Sequence, residues 1–260
     1  MLTVRDLSLS YGGEPVVSDC DLDISTGEFA SLVGPSGSGK SSLLRAIAGL
    51  HPPERGTVDL DVGSDKVAFL FQDDALLPWR TARYNAALGL LIRGTPRRDA
   101  YEQAEAWLAR LGVGALADRF PRQLSGGQRK RVALAQVLAL EPRLLLMDEP
   151  FASLDAIMRH RVTEDLLRWV DREEITVLLV THDLEEAIAL SDRVHLLTQG
   201  PYARIDAVYE VPLDRPRDLI GARIEPAFGP LLRRMWDDLA AVSDETVAER
   251  PQEGETVPWT

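Results

Sequence analysis

One octapeptide constrains this chain more than anything else in it. Gly34-Pro35-Ser36-Gly37-Ser38-Gly39-Lys40-Ser41 matches G-x-x-x-x-G-K-[ST] in full. It follows Glu28–Val33, which reads as a strand, and precedes a stretch in which Leu43, Leu44, Ile47 and Ala48 recur at helical spacing before Gly49 and Pro52-Pro53. A strand, a glycine-rich loop and a helix in that order form a phosphate cradle. The glycines let successive backbone N–H groups converge on phosphate oxygens, and the helix N-terminus adds its dipole. Lys40 is suited to reach the β- and γ-phosphates, Ser41 to offer a hydroxyl to Mg²⁺, and Ser42 lies beside them in the first helical turn. The loop alone points to a nucleoside triphosphate and leaves kinases, GTPases and transport ATPases open.

The 260 residues suit one large α/β domain, or a core with a small added subdomain. Hydrophobic content of 45% with 27% charged residues excludes a disordered chain. Near the start, Leu2 and Val4 alternate, and Leu7, Leu9 and Tyr11 then alternate in the opposite phase, which predicts a bulge near Asp6. Further strands are expected over Val16–Ile24, Gly56–Leu60 and Lys66–Phe71. Residues 80–140 read as helical, with Thr95-Pro96 as an N-cap and first helical residue. Arg143–Met147 and Ile175–Val180 have the apolar runs of strands buried on both faces, and Val194–Thr198 is a further strand candidate. Beyond Pro212 strand signals cease: Leu219–Val242 is helix-compatible in patches, and Ser243–Thr260 reads as an acidic mobile tail.

Two further segments carry chemistry. Leu144–Met147 leads into Asp148-Glu149, which places two carboxylates at the carboxyl edge of the sheet beside the phosphate loop. Asp148 is suited to the Mg²⁺ shell and Glu149 to general-base work on an attacking water. Leu124-Ser125-Gly126-Gly127-Gln128 opens a helix with serine at the N-cap, a second anion site, and the following Arg129-Lys130-Arg131 reads as a solvated helix face. A formal charge of −12 disfavours nucleic acid as a partner. The single Cys20 reads as a small buried hydrophobe in a reducing compartment. No run is long enough to cross a bilayer, and no secretory leader is visible at the start, so the chain is expected to stay in the cytoplasm.

The LSGGQ segment between a Walker A loop and a Walker B strand resembles the ATP-binding cassette ATPases, over roughly residues 2–213. The resemblance implies an α/β P-loop NTPase (RecA-like) core with an antiparallel β subdomain and a helical subdomain inserted at about residues 73–140. It implies an ATPase domain over residues 1–213 and a C-terminal extension over 214–260. It also implies roles in order: Tyr11 stacking on adenine, Gln72 touching Mg²⁺ or water, Ser153-Leu154-Asp155 as the D-loop, and His182 contacting the γ-phosphate. Two such chains would pair head to tail as a homodimer, each ATP lying between one chain's Walker A loop and the other's Ser125, Gly126, Gly127 and Gln128.

One cassette without a span resembles the separate ATPase subunit of an importer, working at the cytoplasmic face of the inner membrane with transmembrane permease subunits and, through them, a solute-binding protein. Leu76-Leu77-Pro78-Trp79 resembles the nitrate, sulfonate and taurine branch, and Leu76, Leu77 and Trp79 are candidates for docking the permease or, alternatively, for filling the helical core. The absence of a long C-terminal regulatory domain argues against the sugar-importer branch. Gln136 and Ala152 depart from arginine and glycine common in relatives, without touching the phosphate groups. The alternatives are an exporter or lipid-transport ATPase subunit and a soluble cassette ATPase acting on ribosomes or DNA. The single cassette and the negative charge speak against the last.

Overall fold

The computed structural model describes residues 1–152 and 154–248, the last five as backbone only. Two sheets organise it. In the smaller, β1 (Leu2–Tyr11) pairs antiparallel with β2 (Glu14–Ile24) on one side and β4 (Arg55–Leu60) on the other. The bulge expected near Asp6 is present: the register shifts between Val4 and Leu7, and Asp6 sits at φ 49°. That extra residue restores the inward phase, so Leu2, Val4, Leu7 and Leu9 are all buried.

The larger sheet has the order β5 (Val67–Leu70), β6 (Leu144–Asp148), β7 (Thr176–Val180), β3 (Phe29–Val33), β8 (Arg193–Leu197) and β9 (Ile205–Glu210). All neighbours are parallel except β9, which runs antiparallel along the edge. Every residue of β3, β6 and β7 is buried, because both faces are covered. The pleat divides them cleanly. Leu144, Leu146, Leu178 and Val180 pack with the small sheet and α1 (Lys40–Ile47). Leu145, Met147, Val177 and Leu179 pack with α2 (Ala82–Ile92), α3 (Arg97–Arg110), α4 (Gly126–Leu138) and α5 (Ala156–Glu173). Cys20 is buried in the first of these layers, where burial pushes its thiol up to about 12, so it behaves as the hydrophobe expected.

Several expectations need correction. Pro96 is itself the N-cap of α3, in an extended conformation, so the helix begins one residue later than the Thr95-Pro96 pair suggests. Residues 111–125 are 3₁₀ turns and loop rather than continuous helix, since Gly112 and Gly114 interrupt the pattern. The strand Ile205–Glu210 was not expected; it is a half-exposed edge on which only Tyr209 is fully buried. The helix-compatible patches beyond Pro212 pack onto the body of the protein. In α7 (Phe228–Ala248), Phe228, Met235 and Val242 pack with α6 (Leu184–Leu190) and β8. Before it, Arg217 grips Asp192 at 2.8 Å, and Arg215 reaches Asp171 at 3.1 Å. Residues 243–248, assigned to a mobile tail, continue α7; the remainder of that tail lies outside the described residues.

Candidate functional site

The loop Gly34–Gly39 joins the carboxyl end of β3 to α1, and its backbone is forced by close packing. Gly39 is the N-cap of α1 at φ 90°, and a Cβ there would fall 2.7 Å from Val16 and 2.9 Å from Val17. At Gly34 it would fall 2.6 Å from the Leu197 carbonyl. Gly39 has no side chain to cap α1, and Gly39, Lys40, Ser41 and Ser42 at that helix end line a cavity.

Lys40 folds over the same loop, its Nζ donating to the carbonyls of Gly34 at 2.9 Å and Pro35 at 2.7 Å, with Ser38 Oγ at 3.3 Å. Burial holds its ammonium below the usual lysine range, and the charges of Glu149 and Asp148 oppose that shift. Ser41 Oγ donates to Asp148 Oδ1 at 2.8 Å. Burial pushes the Asp148 carboxyl upward, and the Ser41 hydrogen bond offsets part of it. The sequence thus places a hydroxyl and a carboxylate 107 residues apart at one point.

Glu149 has the left-handed backbone φ of 43°, held by its N–H donating to the Val180 carbonyl at 2.9 Å. That turn aims the carboxylate between two groups. His182 Nδ1 lies 3.1 Å from one oxygen, and Gln72 Nε2 lies 3.5 Å from the other. Lys40, Ser41, Gln72, Glu149 and His182 line one cavity of about 570 Å³ together with the loop. Val16, which carries no sequence signal beyond a strand residue, forms part of its wall.

Other expected residues sit elsewhere. Tyr11 stacks on His51, ring centroids 4.5 Å apart, and is not among the residues lining the cavity. Ser125 caps α4 as expected: its Oγ accepts from Gln128 N–H at 3.3 Å, while Gln128 Oε1 accepts from Ser125 N–H at 2.9 Å. None of Ser125, Gly126, Gly127 or Gln128 lines the Lys40 cavity. Leu154 is buried beside Gly127, and Asp155 caps α5 by accepting from Met158 N–H at 2.9 Å; Ser153 lies outside the described residues.

The arginine–lysine run is not a solvated face. Lys130 is fully buried, with Nζ donating to the carbonyls of Phe71 and Gln72, and Arg129 pairs with Asp74 at 3.0 Å. Periodicity could not show this, since all three partners belong to a loop more than fifty residues upstream. Trp79 is 67% exposed, which removes the alternative that it fills the core, whereas Leu76 packs against the core. Behind Trp79 the wholly buried Asn85 holds the loop: its Oδ1 accepts from Leu77 N–H at 2.7 Å, and its amide donates to the carbonyls of Leu77, Arg80 and Thr81.

The parallel sheet, the glycine loop over α1 and the acidic end of β6 define a P-loop NTPase fold. A family model described as ABC transporter matches residues 17–152. The chain is 41% identical over 230 residues to the bicarbonate transport ATP-binding protein of Synechocystis, covering 85% of this chain but 34% of that protein. This chain therefore spans about a third of the length of those bicarbonate-transport relatives. It is also 41% identical to an aliphatic sulfonates import ATP-binding protein of Paracoccus denitrificans, over 94% of this chain and 95% of that one. A bacterial ABC transporter cassette solved as a dimer superimposes with a TM-score of 0.73 at 30% identity, covering 82% of this chain and all of that one. The same cassette is known in a post-hydrolysis state bound to ADP and Pi, with a TM-score of 0.72 at 29% identity, over 82% of this chain and 100% of that one. The chain belongs to the ABC transporter family, as an ATP-binding cassette.

Proposed function

We propose that this protein is the ATP-hydrolysing subunit of an ABC importer, two copies pairing head to tail and driving a separate membrane permease. The observation that carries the hydrolysis is the setting of Glu149, held between Gln72 and His182 in the lining of the cavity that Lys40 and Ser41 share. The loop amides and Lys40 bind the triphosphate. Glu149 takes a proton from the water that attacks the γ-phosphorus, ADP leaves with the pair of electrons of the broken P–O bond, and His182 and Gln72 orient water and phosphate.

Ser41 Oγ and Asp148 supply adjacent hard oxygen donors suited to Mg²⁺, with Gln72 nearby. When bound, Mg²⁺ neutralises charge on the phosphate oxygens.

The self-capped Ser125–Gln128 turn is turned to a second copy's nucleotide, and the dimeric cassette supports this pairing. Tyr11 would have to leave His51 to stack on adenine. Leu154 and Asp155, with Ser153, would carry the signal between sites as a D-loop. Trp79, exposed on the loop that Asn85 holds, is the anchor for a permease helix, with Leu77 beside it. A subunit whose described helices are all too short or too polar to span a bilayer, similar to import ATP-binding proteins, belongs at the cytoplasmic face of the inner membrane. A small anion is the cargo class that fits relatives named for bicarbonate and aliphatic sulfonates, with nitrate and taurine in the same range.

Glu149→Gln tests the reading. It should retain ATP binding and lower turnover by about 10²- to 10⁴-fold, the range of a general base. Near-normal steady-state phosphate release from the purified variant would refute it.

A further inference from the structure

Lys130 occupies the fifth position of α4, the helix that Ser125 caps, and no part of it reaches solvent. A buried ammonium is costly unless its donors are matched, and here they are matched by main chain rather than by a carboxylate. Nζ donates to the Phe71 carbonyl at 2.9 Å and to the Gln72 carbonyl at 3.0 Å. Burial holds this ammonium below the ordinary lysine range, and the charges of Asp74, Asp73 and Asp148 pull it back. One residue earlier, Arg129 pairs with Asp74, so α4 grips the same loop at two points.

Gln72 is therefore held from both ends. Its carbonyl meets Lys130, while its amide points to Glu149 at 3.5 Å. The carbonyls of Phe71 and Gln72 come directly after β5, where the ladder to β6 has ended. Lys130 does there what a neighbouring strand would otherwise do.

We infer that Lys130 is a positioning residue for hydrolysis: it fixes the backbone of Gln72 and so ties the helix carrying the Ser125–Gln128 turn to the carboxylate of Glu149. The inference rests on the ATPase reading above for its kinetic consequence, but not for the clamp itself. A shift of α4, such as closure on a second nucleotide would cause, is transmitted through two hydrogen bonds to the residue beside the general base. The phosphate loop, which Lys130 does not touch, is left out of that route.

The test is a double-mutant cycle of Lys130→Met with Gln72→Ala, joined to hydrogen exchange of the nucleotide-free protein. Lys130→Met removes the donors and keeps the stem. It should lower kcat about tenfold or more while leaving KM for ATP within about twofold, the scale of coupling between residues in one network. In the Gln72→Ala background the same change should cost little further, because the residue it acts through is gone. Amides of residues 71–76 should exchange faster in Lys130→Met, with those of 34–41 unchanged. If Lys130→Met does not fold, Lys130→Gln, which keeps an amide donor, takes its place and should show the same pattern in weaker form. An equal kcat cost in both backgrounds, or unaltered exchange at 71–76, would overturn the clamp. A folded wild-type protein that hydrolyses no ATP counts against the ATPase reading, and the exchange result then decides the clamp alone.

Discussion

The phosphate loop and the Ser125 turn are both glycine-rich helix openings, yet they are finished differently. At Gly39 the helix end has no side-chain cap; Lys40, Ser41, Glu149, Gln72 and His182 line the cavity at the loop, and Asp148 accepts from Ser41. At Ser125 the end is closed on itself by a reciprocal pair with Gln128, and none of those groups faces it. The first is a site that its own chain nearly completes. The second is closed without a ligand, and in the function proposed above it meets a second copy's nucleotide.

That contrast can be broken most sharply by nucleotide affinity. Lys40→Ala should weaken ATP binding to the monomer by about 10- to 100-fold, the worth of a hydrogen bond from a charged donor, whereas Ser125→Arg should leave it unchanged. Calorimetry that finds equal losses in both, or none in Lys40→Ala, would erase the distinction between the two openings.

A smaller effect concerns the sheet that supports the first opening. His195 lies in the middle of β8, is buried, and among the described residues neither of its ring nitrogens has a hydrogen-bond partner. Burial, with Arg193 adding to it, pushes its pKa down to about 4 from the ordinary value of 6.5. The unfolded chain therefore binds this proton more readily, so stability is full above about pH 6.5 and declines as pH falls toward 4. Between pH 6.5 and 5 the loss from this residue should be about 1 to 2 kcal/mol. Urea unfolding at the two pH values should show that loss in wild type and not in His195→Leu; identical pH dependence would contradict it.

The smallest effect on the folded chain is expected in the helical region. Trp79→Ala should change stability by no more than about 0.5 kcal/mol, as for an exposed position, and leave ATP binding intact, while reducing co-purification with the proposed permease. Normal assembly of the transporter with this variant would remove Trp79 from the docking surface.

How much of this was legible follows the same division. The placement of Gly34–Ser41, Asp148-Glu149 and the Ser125 cap could be read because their local geometry is set by backbone spacing within a few residues. The two-sided burial of β6 and β7 was legible from their apolar runs, whereas Glu28–Val33 reads only as a strand because Ser31 breaks its apolar run. The edge strand at Ile205–Glu210 was not, because one buried tyrosine among half-exposed residues leaves little pattern. Nor was the burial of Lys130 and Asn85 visible, since a charged or amide side chain reads as surface until its distant carbonyl partners are known. Tyr11 shows the reverse: family order gives it a role beside adenine, while the local packing stacks it on His51.

The central claim is that one chain's Ser125 turn completes another chain's Lys40 site. Size-exclusion chromatography of Glu149→Gln with ATP, with and without Ser125→Arg, tests it most directly. The account predicts an ATP-dependent dimer for Glu149→Gln and a folded, ATP-binding monomer once Ser125→Arg is added. An undiminished ATP-dependent dimer in the double variant would contradict it.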